Sequence, residues 1–296
     1  MALVPTAEFD VTPSLVESLL HDQHPDLAER PLAFLGNGWD NVLFRLGADL
    51  VVRLPRREVA DALMIEEQHW LPDLTAHLEV PTSAPVRVGR PTPDYPWHWS
   101  VCRWIGGVSG SAVPRSTRAA AAVPLARLLG RFHQAAPDNA PISPVGRGGP
   151  LAARDVVVRR RMASLDDVPT HALIDVWDRA VAASPWSRAP LWLHGDLHPA
   201  NVILREDGTL AGVVDFGDLC AGDPATDLAA AWLTFDAAGR RAFHDAYESL
   251  QSADAALWDR ARGWAVSIGS ALAVSSDDAP DLRVLGLETL QAVLEN

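Results

Sequence analysis

The sequence predicts an α+β fold in two lobes, a small antiparallel sheet followed by a mostly helical body. Three observations carry it. The 296 residues are enough for one large domain or two lobes around a sizeable core. Short apolar runs broken by Gly-containing turns fill residues 32–54. After residue 119, apolar residues recur at helical spacing almost to the end of the chain.

The elements follow in order. Thr12 and Pro13 read as an N-cap and first helical position, and Leu15, Val16, Leu19 and Leu20 continue a helical stripe. Leu32–Leu35, the segment Gly36-Asn37-Gly38-Trp39-Asp40-Asn41, then Val42–Leu46 and Leu50–Leu54 read as an antiparallel meander with a Gly-containing tip. Glu58–Leu71 reads as a helix with Val59, Leu63, Glu67 and Trp70 on one face. Pro-rich text over 81–97 surrounds strand candidates and ends in Ser100–Ile105; Gly106-Gly107 then marks a passage between lobes 1–105 and 106–296. Helices are expected at Ala119–His133, Val156–Ser164 and Ala172–Ala183, and near 225–235, 237–250, 254–275 and 281–294. Between them lie short strands at Leu191–Leu193, Asn201–Arg205 and Leu210–Val214, with Asp207-Gly208 as a type I′ turn.

Charge narrows the function. Twenty-five basic residues face 38 acidic ones, a formal net charge of −13, which disfavours nucleic acid as a partner. It favours a cationic small molecule, or a ligand whose charge is handled by metal. All 25 basic residues are Arg and none is Lys, which excludes a GxxxxGK[ST] P-loop and any lysine Schiff base. Two cysteines, Cys102 and Cys220, are too few for a disulfide scaffold. The N-terminal text lacks a basic region before an apolar core, and no apolar run reaches about 18 residues. The expectation is a cytoplasmic protein with no membrane partner.

Chemistry concentrates in residues 191–229. His194-Gly195-Asp196 is followed by Asn201, and Asp215-Phe216-Gly217 lies beyond the next hairpin. A carboxylate in a loop after a short strand can take the proton of a hydroxyl nucleophile. An Asn and a second Asp at the two ends of a hairpin can hold Mg²⁺, which prefers oxygen ligands, and that ion can clamp the phosphates of a nucleotide. Taken singly, Asp196 also reads as a turn-stabilising carboxylate and Asn201 as an Asx-turn residue.

The ordered set HGDLHPAN…DFG…GDPATDLA resembles the aminoglycoside phosphotransferase family, antibiotic and small-metabolite kinases of protein-kinase-like fold. The likeness extends to the two-lobe layout, the Asn37–Asn41 loop, the Glu67 helix and the RGGPLA stretch near 147–152. It implies ATP and Mg²⁺ as cofactors, Asp196 as catalytic base, and Asn201 and Asp215 as metal ligands. His194 joins the catalytic loop, more as a packed support than as a chemical group, while His198 is ambiguous. Asp227 is expected to hydrogen-bond the backbone of that loop. For the nucleotide, the resemblance implies phosphate contacts from Gly36, Asn37 and Gly38, although a plain hairpin accounts for them equally. Arg53 stands where the family carries a Lys, with Glu67 as its ion-pair partner. The hinge Ser100–Ile105, including Val101 and Arg103, would hold the adenine, with Trp99 or Trp104 lining its pocket.

Rival classes fare less well. Only four residues separate Gly217 from Gly222 and no APE motif follows, which leaves no room for the activation loop of a protein kinase. Gly195-Asp196-Leu197-His198 is similar to a phosphoesterase metal motif, but a GNHD-like companion is missing. A pseudokinase would lack Asp196, Asn201 or Asp215. The expected activity is transfer of the ATP γ-phosphate to a hydroxyl of a small molecule, foremost an aminoglycoside. Macrolides, nucleoside antibiotics, and choline-like or homoserine-like metabolites are the alternatives, and oligomeric state is left open.

Overall fold

A computed structural model of the chain describes residues 6–166, 168–251, 254–276 and 279–295. Met1–Pro5, part of the text read above for a signal sequence, lie outside them.

Helix α1 (Pro13–Gln23) begins at Thr12, whose hydroxyl accepts a hydrogen bond from the Leu15 N–H at 3.2 Å. Strands β1 (Leu32–Asn37), β2 (Asn41–Leu46) and β3 (Leu50–Pro55) make the meander. With β4 (Pro85–Gly89) and β5 (Trp99–Arg103) they form one antiparallel sheet in the order β1-β2-β3-β5-β4. In β2, Val42, Phe44 and Leu46 are buried and alternate with half-buried neighbours, the period-2 pattern of a sheet covered unequally on its two faces. They join Val16, Leu20, Val52, Leu54, Tyr95, Trp99 and Val101 in one hydrophobic cluster. Trp99 is therefore core and not pocket wall: a Cβ on Gly89 would come within 1.9 Å of its indole, so the ring lies directly on the β4 backbone.

Helix α2 (Glu58–Thr75) packs on β3, β4 and β5. It runs through Pro72 and ends a turn later than the sequence predicts. Its buried residues are Ala60, Met64, Glu67 and Leu71, not the stripe through Val59, which is 53% exposed. Glu67 stays on the buried face, held by its partner in β3, while Ala60, Met64 and Leu71 take the places expected of Val59, Leu63 and Trp70; the Ser100 hydroxyl donates to the Met64 sulfur at 3.1 Å.

The rest of the chain is mostly helical. Strand β6 (Val108–Ser109) leads into α3 (Ala122–Phe132), α4 (Asp155–Ala163) and α5 (Thr170–Ala182). Then come β7 (Leu191–Leu193), β8 (Val202–Leu204), β9 (Leu210–Val213) and β10 (Cys220–Gly222). The expected 225–235 helix is two short pieces, α6 (Ala225–Leu228) and α7 (Ala230–Thr234), followed by α8 (Ala237–Glu248), α9 (Leu257–Ser275) and α10 (Pro280–Ala292). A second, larger hydrophobic cluster includes Leu125, Phe132, Trp177, Phe216, Phe243 and Trp264. Leu71 of α2 belongs to it, and the Trp70 ring lies 5.0 Å from Trp192, so α2 ties the two cores together.

Strands β7 and β10 pair with each other, and β6-β8-β9 form a three-stranded sheet. The β8–β9 turn is not type I′. That turn requires φ > 0 at both central residues, and only Gly208 has it, at 78°. The Thr209 N–H and hydroxyl both donate to the Asp207 carboxylate, and the register shifts between Ile203 and Leu204, so the turn carries a bulge. Among the described residues no helix is long and apolar enough to cross a membrane.

Candidate active site

The loop from His194 to Asn201 leaves β7 and is pinned from below. Gly195 has φ 84°, and a Cβ there would come within 2.2 Å of the Asp218 carbonyl oxygen, so no side chain fits. The fully buried Asp227 accepts from the His194 N–H at 2.7 Å and the Gly195 N–H at 2.9 Å. It also accepts from His133 Nε2 at 3.1 Å, while His133 Nδ1 meets the Tyr247 hydroxyl at 2.8 Å. Burial alone would raise the Asp227 pKa, but the hydrogen bond and charge of His133 and the backbone donors hold it below the usual carboxylate range.

A carboxyl depressed in the folded state stabilises the protein above its unfolded pKa, and that contribution is lost as pH falls through the folded value. Asp227→Asn leaves a buried backbone donor facing an amide N–H and is expected to cost about 1–3 kcal/mol at neutral pH. In urea titrations run at several pH values, the gap to wild type should close below about pH 4. A gap that stays constant down to the acid limit would refute the linkage.

His194 is 1% exposed and both ring nitrogens are engaged. Nδ1 accepts from the Asp196 N–H at 3.3 Å, so Nε2 carries the proton and donates to the Val214 carbonyl at 3.0 Å. Through these two bonds the ring fixes the loop against the strand leading to Asp215.

The remaining polar groups converge above this floor. Arg53, in β3, is buried and forks onto Glu67: one terminal nitrogen lies 2.6 and 2.7 Å from the two carboxylate oxygens. Its other terminal nitrogen reaches Asp215 Oδ1 at 3.1 Å. Burial opposes the guanidinium charge, but Glu67 and Asp215 outweigh it and raise the Arg53 pKa. Asp215 follows β9 with φ 64°, the one non-glycine residue in the left-handed region among those described, and its N–H donates to the Ser83 hydroxyl at 3.1 Å. That conformation turns a 56% exposed carboxylate away from the strand. The Asn201 side-chain NH₂ donates to the Asp196 carbonyl at 3.0 Å, which leaves its side-chain oxygen as the atom that could meet a cation.

Asp196 itself is held by one guanidinium and one imidazole. Arg147 donates to Oδ1 at 2.6 Å, and His198 Nε2 stands 3.4 Å from Oδ2. Although burial would raise it, the Asp196 pKa is driven far down by the hydrogen bond and charge of His198 and by Arg147. Arg147 was not singled out from the sequence. It lies in the RGGP text and is brought over the loop by two glycines: a Cβ on Gly148 would come within 2.9 Å of Gly222 Cα, and one on Gly222 within 2.6 Å of Gly148 Cα. The Gly148 N–H donates to the Thr226 hydroxyl at 2.9 Å, which secures this contact.

The other predicted residues lie apart from this cluster. Gly36, Asn37 and Gly38 form the β1–β2 tip, closed by the Gly38 N–H on the Asn41 carbonyl at 2.7 Å. Val101 is fully buried and paired on both sides, with Val52 and Arg87, so it holds the sheet and offers no side chain to a ligand. Arg103 is exposed at the end of β5, where the pairing stops. Trp104 is 40% exposed and stacks under Arg45 at 4.2 Å. Both cysteines are free and buried, and burial pushes each thiol up to about 12, out of any nucleophilic role at neutral pH. No group of three or more His, Cys, Asp or Glu side chains is arranged to hold a metal among the described residues. Two oxygen ligands still suit Mg²⁺, which keeps waters and substrate phosphates in its shell.

Comparison with known proteins gives the same frame. None of the curated proteins matches the chain. Among solved structures, the GDP complex of an aminoglycoside 2'-phosphotransferase-IIIa superposes with a TM-score of 0.67 at 18% identity, covering 96% of this chain and 99% of that one. A macrolide 2'-phosphotransferase from Brachybacterium faecium gives 0.60 at 17% identity, covering 93% and 97%. The model of the phosphotransferase enzyme family matches residues 31–264, a span that runs from β1 into α9 and holds every polar group of the cluster. With that match, and with the HGD, DFG and GDPATD segments folded around one floor, the chain belongs to the phosphotransferase enzyme family.

Proposed function

We propose that the protein transfers the γ-phosphoryl group of ATP to a hydroxyl group of a small molecule. The observation that carries this reading is the convergence on one floor of a partly exposed Asp196, the oxygen ligands Asn201 and Asp215, and the Arg53–Glu67 pair. Asp196 accepts the proton as the acceptor oxygen bonds to the γ-phosphorus and the bond to the bridging oxygen of the leaving diphosphate breaks. Arg53 binds the α/β-phosphates with the fork it now lends to Asp215. Residues 1–105 serve as the nucleotide lobe and 106–296 as the catalytic lobe; the hinge at Arg103–Ile105 meets the adenine where the β5 pairing ends. The Gly36–Gly38 tip covers the phosphates with backbone N–H groups. Asn201 and Asp215 would hold Mg²⁺, which supplies charge neutralisation of the phosphates. Whole-chain charge favours a cationic acceptor such as an aminoglycoside, with antibiotic resistance as the consequence; the side chains beside Asp196 favour a different charge.

Calorimetric titration with ATP or GTP, with and without Mg²⁺, tests the nucleotide half. Wild type is expected to bind in a Mg²⁺-dependent way, and Asp215→Ala to weaken that binding by at least about tenfold. Equal affinity with and without the ion would remove Asp215 from the metal site.

A further inference from the structure

The base carries a guanidinium directly on its carboxylate, and two more arginines stand behind that one, in a protein whose net charge is −13. Arg147 reaches Asp196 Oδ1 at 2.6 Å, and its Nε is buried with no hydrogen-bond partner among the described residues. Arg154 is its neighbour across the Gly146 turn. The Arg154 guanidinium donates to the Val145 carbonyl at 2.5 Å, lies 3.6 Å from where a Gly146 Cβ would be, and stacks 4.5 Å from the centre of the Trp264 ring. Arg161 stands on the same helix as the carboxylate of Asp155, but that carboxylate is already taken by Arg159 at 2.8 Å and by the Trp177 indole N–H at 2.7 Å. Burial and the charges of Arg147 and Arg161 push Arg154 down to about 10; Arg161 is lowered by burial and by Arg147. The three guanidinium groups therefore repel one another, and among the described residues the acidic partner of this group is Asp196, on Arg147 alone. Of the nearby carboxylates, Asp218 is held upward in pKa by burial and by Asp196, which weakens it as a counter-charge.

We infer that the acceptor carries an oxyanion, a carboxylate or a phosphate monoester, close to the hydroxyl that is phosphorylated, and that Arg147 is the residue that binds it. This rests on the kinase reading of the same site and goes beyond it by assigning the charge of the substrate. An arginine fork matches either oxyanion. A hydroxyl within reach of Asp196 and an anion within reach of Arg147 lie within roughly 5 Å of each other, so both belong to one compact molecule.

The contact also gives Arg147 a second task. While it sits on Oδ1, that oxygen is not free to receive a proton. When the substrate anion takes the guanidinium, Oδ1 is released beside the bound hydroxyl. The hydroxyl proton passes to Asp196, the acceptor oxygen bonds to the γ-phosphorus, and ADP leaves with the electrons of the broken P–O bond. A cationic or neutral alcohol supplies no such exchange.

ADP release from Mg·ATP by the full chain is to be measured with matched acceptors. One set is glycerate, glycerol 3-phosphate, glycerol and serinol; a second is gluconate, glucose 6-phosphate, glucose and glucosamine, with kanamycin beside both. At least one acid or phosphate is expected to exceed its neutral and amino counterparts by about tenfold or more in kcat/KM. The carboxylate and phosphate arms distinguish the two sources of the anion. Arg147→Gln should raise KM for that anion by about 10- to 100-fold, and Arg147→Lys should restore part of the loss, a rescue that a purely structural role would not give. Thermal unfolding of both variants checks that they fold. Turnover of kanamycin, glucosamine or a neutral alcohol in preference to every anion would overturn the inference and leave the kinase reading standing. Failure of every anion to accelerate ADP release would also overturn it. Loss of Mg²⁺-dependent nucleotide binding in wild type would remove both.

Discussion

Asp196→Asn is expected to lower the rate of phosphoryl transfer by about 10²–10⁴ while Mg·ATP still binds. The size follows from what the substitution leaves in place. Asn keeps the shape of the side chain, and the loop backbone is fixed by Asp227 and His194 through atoms that the substitution does not touch. Asn201 bonds to the main-chain carbonyl of residue 196, not to its carboxylate, so the metal-side geometry is also retained. What disappears is an acceptor for the hydroxyl proton and a counter-charge for Arg147. Phosphoryl transfer through a loose transition state needs little push on the nucleophile, so positioning and charge neutralisation persist and a residual rate remains. Single-turnover measurement on the best acceptor, beside a nucleotide titration, separates the two effects. A fall of less than about threefold in rate would remove Asp196 from proton transfer.

The sequence showed the parts of this site that are contiguous. His194–Asn201 and Asp215–Gly217 put the proposed base, the proposed ligands and their supports into two short stretches, so the candidates stand out by residue type and order. The Arg53–Glu67 pair is expected from the family resemblance, which puts a cation at residue 53 and a carboxylate on the following helix, and the two side chains do meet. The face of α2 differs by one position from the expected one. Periodicity puts Val59, Leu63 and Trp70 beside Glu67, but Ala60, Met64 and Leu71 are the neighbours that share its buried face, with Met64 met by the Ser100 hydroxyl of β5. Arg147 was hidden because its partner is 49 residues away and its placement depends on two glycines meeting back to back. A lone Arg in a Gly/Pro loop carries no local sign of that. The β8–β9 turn failed at a finer level: Asp-Gly fits a two-residue loop, whereas the bulge is set by the pairing of the flanking strands.

The chain without lysine makes its strongest demand at Arg53. Glu67 is 1% exposed, and its carboxylate is met twice by one guanidinium. Arg53→Met is therefore expected to cost about 3–5 kcal/mol of stability, because it strands a buried carboxylate, and to lower Mg·ATP affinity as well. The two losses have different origins and can be pulled apart. In the double variant Arg53→Met/Glu67→Leu no charge is left stranded, so most of the stability should return, since a buried ion pair replaced by apolar side chains is often neutral. Nucleotide affinity should not return, because the phosphates still lack their cation. Arg53→Lys tests the geometry itself. Arg53 spans Glu67 with one terminal nitrogen and Asp215 with the other, whereas a lysine has a single nitrogen and must share it. It should fold better than Arg53→Met and bind nucleotide less well than wild type. Urea unfolding and nucleotide titration of the four proteins decide the matter. If Arg53→Met keeps both the wild-type urea midpoint and the wild-type affinity, arginine at this position reflects only the chain's general use of Arg in place of Lys, and the nucleotide is held by other groups. If affinity fails to recover while stability does, a guanidinium has taken over the work of an amine and is doing it in the nucleotide site.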